Sequence, residues 1–434
     1  MDLLKAIERF NIQYIELWYT DILGAVKSVT IPASRIESAL QHGVHFDGSS
    51  LDGFARVVES DMELMPDPNT FALLPWTADT HRSARLICNV YTSQGEPFIG
   101  DPRQSLIHVL KQAEEMGYNF MTGMEMEYFL FKDTPCKDAD EATYFDMPVD
   151  SIQHIQRRMM QTLIDMGIGV HSYHSEIGQG QHEFELAYDN ALTMADHVLT
   201  ARVALKTVAR NHGMMCTFMP RPCADQPGSG LHTHQSLHNI RNGQNVFYDP
   251  NNEYGLSETA RFFLAGQLQH ARAMTAVLAP LVNSYKRLGK SFEAPVYISW
   301  AKVNRAALIR IPTIQPGMES HTRLELRCPD PSSNPYLAAA VMLKAGLDGI
   351  KNKTPLPEPL EETLLSHRKA RMRQIDLLPD TLGEALTALR ENDLVLSALG
   401  PYISDRFTEA KQQEFDEFNQ HVTRWELERY LNRY

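Results

Sequence analysis

The stretch YNFMTGMEMEYFLF, residues 118–131, decides how the rest of the chain is read. It is apolar and strand-forming, yet Glu125 and Glu127 interrupt it two positions apart. A strand points alternate side chains to opposite faces, so both carboxylates share one face and Met124, Met126 and Tyr128 share the other. Two carboxylates held side by side among apolar residues repel each other and are costly to desolvate. A divalent cation removes both problems. For this segment alone, a solvent-facing strand side carrying two acids is the plain alternative.

The pattern recurs outward. Glu176 precedes the Gly-rich stretch Gly178-Gln179-Gly180-Gln181, after which Glu183 and Glu185 share a strand face. His232 and His234 share a face within residues 230–237, and Arg323, Glu325 and Arg327 do so within 322–327. One such strand is weak, since a lone strand histidine is usually just hydrogen-bonded. Several of them predict sheet faces lining a single wet, ion-filled cavity. Oxygen-rich ligands with one or two imidazoles suit Mg²⁺ or Mn²⁺ better than zinc, and such sites commonly hold nucleotide phosphates. Neither a phosphate-binding G-x-x-x-x-G-K-[ST] loop nor a Gly-rich dinucleotide fingerprint is present, so metals and arginines would have to hold any nucleotide. Arg287, Arg305, Arg310, Arg323 and Arg327 crowd the matching region. Each has a bland reading as a surface residue, but together they read as clamps for carboxylate and phosphate. The reaction implied is phosphoryl transfer onto an anionic substrate.

The surrounding chain supports a globular protein of two or more domains: 434 residues, 43% apolar and 22% charged. With 54 acidic against 41 basic residues and no basic cluster, nucleic acid is not an expected partner. Five cysteines, odd in number and irregularly spaced without C-x-x-C, argue against a disulfide framework or a zinc-thiolate site. A reducing cytoplasm is therefore the expected setting. Residues 1–17, with Asp2, Glu8 and Glu16, do not read as a signal peptide. The longest apolar run, Tyr336 to Leu343, is too short for a membrane span.

The first hundred residues read as strand-rich, with strands at 12–19 and 26–31 around the turn Asp21–Gly24, and others at 71–76 and 84–91. A boundary falls near Gly100. There Asp101 caps a helix with Pro102 first, Gln104 has capping-box spacing, and Gly117 is the stop. Further helices are expected from Ser257 to about Ala279 and from Pro335 to about Ile350. The last 40 residues read as helices packing through Phe407, Phe415, Phe418 and Trp425.

These segments resemble glutamine synthetase, type I, over nearly the whole chain. The resemblance runs through Phe46-Asp47-Gly48-Ser49-Ser50, Glu59-Ser60-Asp61-Met62, Glu125-Met126-Glu127-Tyr128-Phe129 and Pro227-Gly228-Ser229-Gly230-Leu231-His232. It continues in Asn283-Ser284-Tyr285-Lys286-Arg287, Asn304-Arg305, Arg310-Ile311-Pro312 and Glu325-Leu326-Arg327-Cys328-Pro329-Asp330-Pro331. It implies an α+β fold: a β-grasp domain at 1–100, and a catalytic domain at 101–434 with a curved antiparallel sheet flanked by helices. The implied activity is ATP-dependent ligation of ammonia to the γ-carboxylate of glutamate through γ-glutamyl phosphate.

By the same resemblance, Glu127, Glu176 and Glu183 hold one Mg²⁺ or Mn²⁺, and Glu125, His232 and Glu325 a second. Arg287, Arg327 and Gly228 bind glutamate. Arg305 and Arg310 act on the transferring phosphoryl group, while His234, Ser236 and Arg323 bind nucleotide. Asp47 binds ammonium and takes its proton, and Glu293 belongs to a flap closing over the intermediate. The resemblance also implies homo-oligomers, rings of six usually stacked as twelve, with active sites between subunits and Asp47 donated across the interface. Arg56 sits at a feedback-inhibition position of the short, alpha-like subgroup. The absence of tyrosine between Lys351 and Pro401 removes the adenylylation site of the longer type.

Three departures stand out. Pro227 replaces the asparagine of the substrate loop and lacks its donor groups. Gly123-Met124-Glu125-Met126-Glu127 lacks two prolines. The flap reads Leu288-Gly289-Lys290-Ser291-Phe292-Glu293. Relatives that use an alkylamine or polyamine are the main rival reading, and a non-catalytic structural or nitrogen-sensing relative is a third.

Overall fold

The computed structural model describes residues 3–51, 61–77, 81–132, 136, 141–147, 150–289, 294–362 and 375–434. Two sheets organise the chain. The first contains β1 (Tyr14–Thr20), β2 (Val26–Pro32), β3 (Val44–Asp47), β4 (Asp61–Pro66), β5 (Ala72–Leu73) and β6 (Ser83–Thr92), in the order β2-β1-β6-β4-β3 with β5 beside β6. The β1–β6 pair is parallel and the rest are antiparallel. The β1–β2 turn forms because the Asp21 carboxylate accepts the N–H groups of Leu23 and Ala25, while Gly24 takes φ 88°. Ile15, Leu17 and Tyr19 point into this sheet's own core, with the helices Leu3–Arg9 and Ile36–His42 supplying Leu3, Ile36 and Ala39.

The second sheet contains β7 (Tyr118–Phe131), β8 (Val170–Ser175), β9 (Gln181–Asn190), β10 (Met215–Thr217), β11 (Leu231–Asn239), β12 (Tyr297–Ala301), β13 (Ala307–Arg310) and β14 (Leu324–Leu326). Its order is β12-β13-β14-β11-β7-β9-β8, with β10 beside β7, and only β12–β13 pair in parallel. The alternation read in residues 118–131 is realised. Met124, Met126 and Tyr128 pack with Phe184 and Leu231 against the helices Asp150–Asp165 and Ala191–Asn211, leaving Glu125 and Glu127 on the other face. The helices Glu258–Leu278 and Pro335–Asn352 build the largest core, capped as expected by Ser257 and Asn334.

Several expectations need correction. The strand at 71–76 shrinks to Ala72–Leu73, because the Thr77 hydroxyl and N–H both turn back to the Leu74 carbonyl. The first hundred residues also hold two short helices. Asp101 starts the helix Pro102–Glu115, with one oxygen accepting Arg103 N–H; its other goes to Val90 N–H, across to the first sheet. Phe418 and Trp425 are exposed, and the terminal helix Arg424–Tyr430 buries no residue. Cys136 and Cys223 form a disulfide, against the reading that the cysteines stay unpaired. Five cysteines leave room for as many as two bridges, and spacing could not reveal a pairing made by two loops of the second sheet. No helix among the described residues is long and apolar enough to cross a membrane.

A buried charge cluster joins the two sheets. Arg103 donates to Asp196 from Nε (3.1 Å) and Nη2 (2.9 Å), to Asp67 at 2.9 Å and to Asn89 at 2.8 Å. Tyr336 Oη donates to Asp196 at 2.5 Å. Removing one partner of a buried pair strands the other charge, at a cost of roughly 3–5 kcal/mol. Asp196→Ala should therefore lower the unfolding free energy obtained from urea titration by an amount in that range, while Asp196→Asn, which keeps a hydrogen-bond acceptor for Arg103, should lose less.

Candidate active site

Strand register brings the polar face together. Glu127 lies opposite Glu183 and Glu125 opposite Glu185 between β7 and β9. His232 lies opposite Glu125, His234 and Arg310 lie either side of Glu325, and His174 lies opposite Glu183. The carboxylates are compensated unequally. Glu125 takes His232 Nδ1 at 3.1 Å and His234 Nε2 at 2.7 Å. Burial alone would raise its carboxyl, but these imidazole bonds hold it well below the usual range. Glu325 is fully buried between Arg327 and Arg310, whose Nη2 approaches to 2.5 Å. Burial is again outweighed, chiefly by Arg327, and this carboxyl is lowered too.

The other side of the site is short of positive charge. Glu127 Oε2 accepts Gly230 N–H and Gln181 Nε2, each at 2.9 Å. Burial, reinforced by neighbouring Glu176, still raises its carboxyl. Glu183 is worse placed: burial, then the charges of Glu125, Glu127, Glu176 and Glu185, push it far up. Among the described residues, ligand atoms fall within 4.8 Å of one another in three groups: Glu125–His232–Glu325, Glu127–Glu183–His232 and His174–Glu176–Glu183. The first is the trio expected from the sequence. The other expected trio, Glu127, Glu176 and Glu183, is divided between the second and third groups, which share Glu183. Hard oxygen donors with few imidazoles, and the raised carboxyls of Glu127 and Glu183, fit Mg²⁺ or Mn²⁺.

These groups face a cavity of about 310 Å³. Glu125, Glu127, Glu176, Glu183, His232, Gly228, Arg287, Arg305, Arg310 and Arg327 line it, with Pro227, Gln181, Ala294, Tyr144, Phe145 and Ile177. Gly228 is tightly constrained, since a Cβ there would stand 2.3 Å from the Pro220 carbonyl oxygen. Arg287 is held by the carbonyls of Cys328 (2.8 Å), Pro329 (3.1 Å) and Arg327 (2.9 Å). A second cavity of about 540 Å³ lies behind, lined by His234, Ser236 and Arg323 together with His171, Tyr188 and His238. The two meet across the Glu125–His234 contact. Arg323 Nε donates to His234 Nδ1 at 3.2 Å.

Asp47, at the end of β3, lines neither cavity; its carboxylate accepts Ser49 N–H at 3.0 Å. Glu293 and Arg56 lie outside the described residues. Four residues were not singled out from the sequence. Gln181 bridges Glu127 and the Gly228 carbonyl. His174 stands 2.9 Å from Glu176. Tyr144 accepts from Arg305 Nη1 at 3.1 Å, and Phe145 stacks on His174 at 4.5 Å. His174 precedes Glu176 by two positions, the same period-two signal, and could have been found that way. The adjacent aromatics of a polar loop give only a faint one.

The comparisons with known proteins agree with this geometry. The family model described as "Glutamine synthetase, beta-Grasp domain" matches residues 11–93, and "Glutamine synthetase, catalytic domain" matches residues 99–430. A glutamine synthetase of Thermus thermophilus is 46% identical over 445 aligned residues, covering 100% of this chain and 99% of that one. One of Staphylococcus aureus is 43% identical, covering 100% and 98%. Among solved structures, a GmaS/ADP complex superposes with TM-score 0.87 at 29% identity, and apo GmaS without ligand with 0.85 at 30%, each covering 99% of both chains. The matched domains, the full-length identity and the carboxylate-lined sheet lead to one conclusion: this chain belongs to the glutamine synthetase family, ATP-dependent carbon–nitrogen ligases that work with Mg²⁺ or Mn²⁺.

Proposed function

We propose that this chain joins ammonia to the γ-carboxylate of glutamate, forming glutamine, ADP and phosphate. The observation that carries the reading is a single cavity where the under-compensated carboxylates Glu127 and Glu183, with Glu176 beside them, face the arginines Arg305, Arg310 and Arg327. Such a wall suits two anions and the cations between them. The 43–46% identity to glutamine synthetases favours ammonia as the amine.

A carboxylate is a poor electrophile, so its oxygen first takes the γ-phosphoryl group of ATP. Ammonia then attacks the acyl carbon and phosphate leaves. Glu127, Glu176 and Glu183 would hold one cation, and Glu125, His232 and Glu325 another. When bound, these ions draw electron density from phosphate and carboxylate oxygens. Arg310 and Arg327 now spend their charge on Glu325; with that carboxylate otherwise satisfied, both become available to the phosphoryl group and to glutamate. Arg305 faces the same space beside Tyr144. Arg287 and Gly228 form the wall against which glutamate lies, and His234, Ser236 and Arg323 line the cavity assigned to the nucleotide. Asp47 is the residue assigned to deprotonate ammonium. Its position away from the cavity supports a homo-oligomer in which a neighbouring copy completes the site. Glu293 is assigned to the flap that keeps water from the acyl phosphate.

A second reading, transfer to an alkylamine or polyamine, draws on the likeness to GmaS, a γ-glutamylmethylamide synthetase, and on Pro227 in the substrate loop. Phosphate release with glutamate, ATP and Mg²⁺ separates the two. Ammonium should exceed methylamine in kcat/KM by roughly 10–200-fold, the discrimination that a methyl-sized difference allows. Turnover with methylamine or polyamines but not ammonium would install the rival. Glu127→Gln should lower turnover by more than the roughly 10–100-fold that loss of an outer-shell partner costs at a metal site; unchanged turnover would remove the metal assignment, whereas no turnover of the unmodified protein with any amine would leave a non-catalytic role.

The raised carboxyls also predict a pH dependence. Folded metal-free protein holds protons on Glu183 and Glu127 more tightly than unfolded chain does. Their contribution to stability is therefore lost as pH rises from the ordinary carboxylate value of 4.5 toward their raised values. Glu125 and Glu325 act in the opposite sense, and only below 4.5. Metal binding must displace the protons on Glu183 and Glu127. The rise in thermal midpoint on adding Mg²⁺ should thus be larger at pH 8 than at pH 6, and Glu183→Gln should flatten that difference; a larger gain at pH 6 would contradict the charge assignment.

A further inference from the structure

Cys136 and Cys223 are bridged across 87 positions of sequence, with their Cα atoms 5.7 Å apart. The bridge links two connections that both end in the wall of the first cavity. One leaves β7 at Phe131, passes Cys136 and reaches Tyr144 and Phe145. The other leaves β10 at Thr217, passes Cys223, reaches Pro227 and Gly228, and enters β11 at Leu231. Cys223 is buried beneath Phe129 and Phe131, whereas Cys136 is exposed and held in left-handed backbone at φ 66°.

The second connection is the substrate loop, and its other ties gather at its base, where the Arg221 guanidinium donates to the carbonyls of Lys286 (2.6 Å) and Ala224 (2.8 Å) and Asn283 Nδ2 to the Arg221 carbonyl (3.1 Å). Ser229 N–H donates to the Pro220 carbonyl at 2.7 Å, Arg221 N–H to Asn283 at 2.7 Å, and Gln179 N–H to Gln226 at 3.2 Å. Ala224 and Asp225 are exposed, so between the Arg221 ties and Pro227 the one buried side chain is that of Cys223. The loop also reaches the carboxylates. The Gly228 carbonyl accepts Gln181 Nε2 at 3.1 Å, the same nitrogen donates to Glu127, and Gly230 N–H donates to Glu127 as well.

We propose that Cys136–Cys223 is a thiol–disulfide modification site that clasps the substrate loop, so that its reduction loosens the glutamate-binding wall. This rests on the reading of that wall given above. A dithiol supplies the two electrons. Its thiolate attacks the sulfur of exposed Cys136, the Cys223 thiolate leaves and takes a proton, and the second thiol of the reductant resolves the mixed disulfide. Two cysteine thiols and an oxidised dithiol result; oxidised glutathione, as a disulfide oxidant, runs the exchange backward. The chemistry is confined to this pair. Cys88, Cys216 and Cys328 are buried, and burial pushes their thiols up, Cys328 to about 12, leaving little thiolate to react.

The test uses full-length protein in two states, treated with oxidised glutathione or with dithiothreitol. Alkylation under denaturing conditions should label three cysteines in the first state and five in the second. Amide hydrogen exchange within residues 218–230 should quicken on reduction while the helices keep their protection. If the loosened loop holds its binding arrangement between a tenth and a third of the time, KM for glutamate rises about 3- to 10-fold. Cys136→Ser should match the reduced enzyme and ignore dithiothreitol, whereas Cys216→Ser should keep the response. Five labelled cysteines after glutathione treatment, or identical exchange in both states, overturns the proposal. Quickened exchange confined to the loop upholds the clasp even where glutamate and ammonium give no turnover, a result that would count against the ligase reading alone.

Discussion

The structure depends on one electrostatic constraint: Glu127 and Glu183 are paired across neighbouring strands, with Glu125, Glu176 and Glu185 close by. Two like charges about 4 Å apart repel by roughly 4 kcal/mol even at an effective dielectric constant near 20. Whole domains are stable by only about 5–15 kcal/mol. Such a face survives only with compensation, and the molecule supplies it unevenly. His232 and His234 serve Glu125, and Arg310 and Arg327 serve Glu325. Glu127 receives one backbone N–H and one amide, and Glu183 remains crowded by like charge. The imbalance singles out the place where a cation gains most.

What holds the carboxylates together is the opposite face of the same strands. Met124, Met126, Tyr128 and Phe184 are buried against two helices, each side chain worth about 1.5–3 kcal/mol in removal from water. Because a strand alternates strictly, burying that face forces Glu125, Glu127 and Glu183 onto the other. The sheet therefore cannot relieve the repulsion by slipping one residue without exposing its core. The Arg103 cluster then fixes this sheet's helices to the first sheet, so the scaffold around the site is rigid on more than one side.

This logic also explains which parts were legible in the sequence. Residues 118–131 and 183–185 and the pair His232/His234 obey a period of two, which survives folding unchanged. The helices begun by Ser257 and Asn334 carry their starting signals locally. The trio Glu125, His232 and Glu325 came instead from the resemblance, and its members, each on a strand, do meet. Loops obey no such period. The Cys136–Cys223 bridge, the Tyr144–Phe145 pair over Arg305 and His174, and the division of Glu127 from Glu176 all arise from where long connections come to rest. The exposed Trp425 misled for a related reason: an aromatic residue in an amphipathic helix signals burial without saying against what.

A division of labour follows. Activation of a carboxylate needs charges fixed to a few tenths of an ångström, and β7, β9, β11 and β14 provide them. The cavity walls beside those strands are loops carrying Tyr144, Phe145, Pro227 and Gly228. Loops can change length and composition with little effect on the sheet beneath them. A substitution such as Pro227 for asparagine can therefore alter the pocket while Glu125, Glu127, Glu183 and Glu325 keep their partner strands. The site can then exchange one nucleophile for another without rebuilding the chemistry that makes either of them useful.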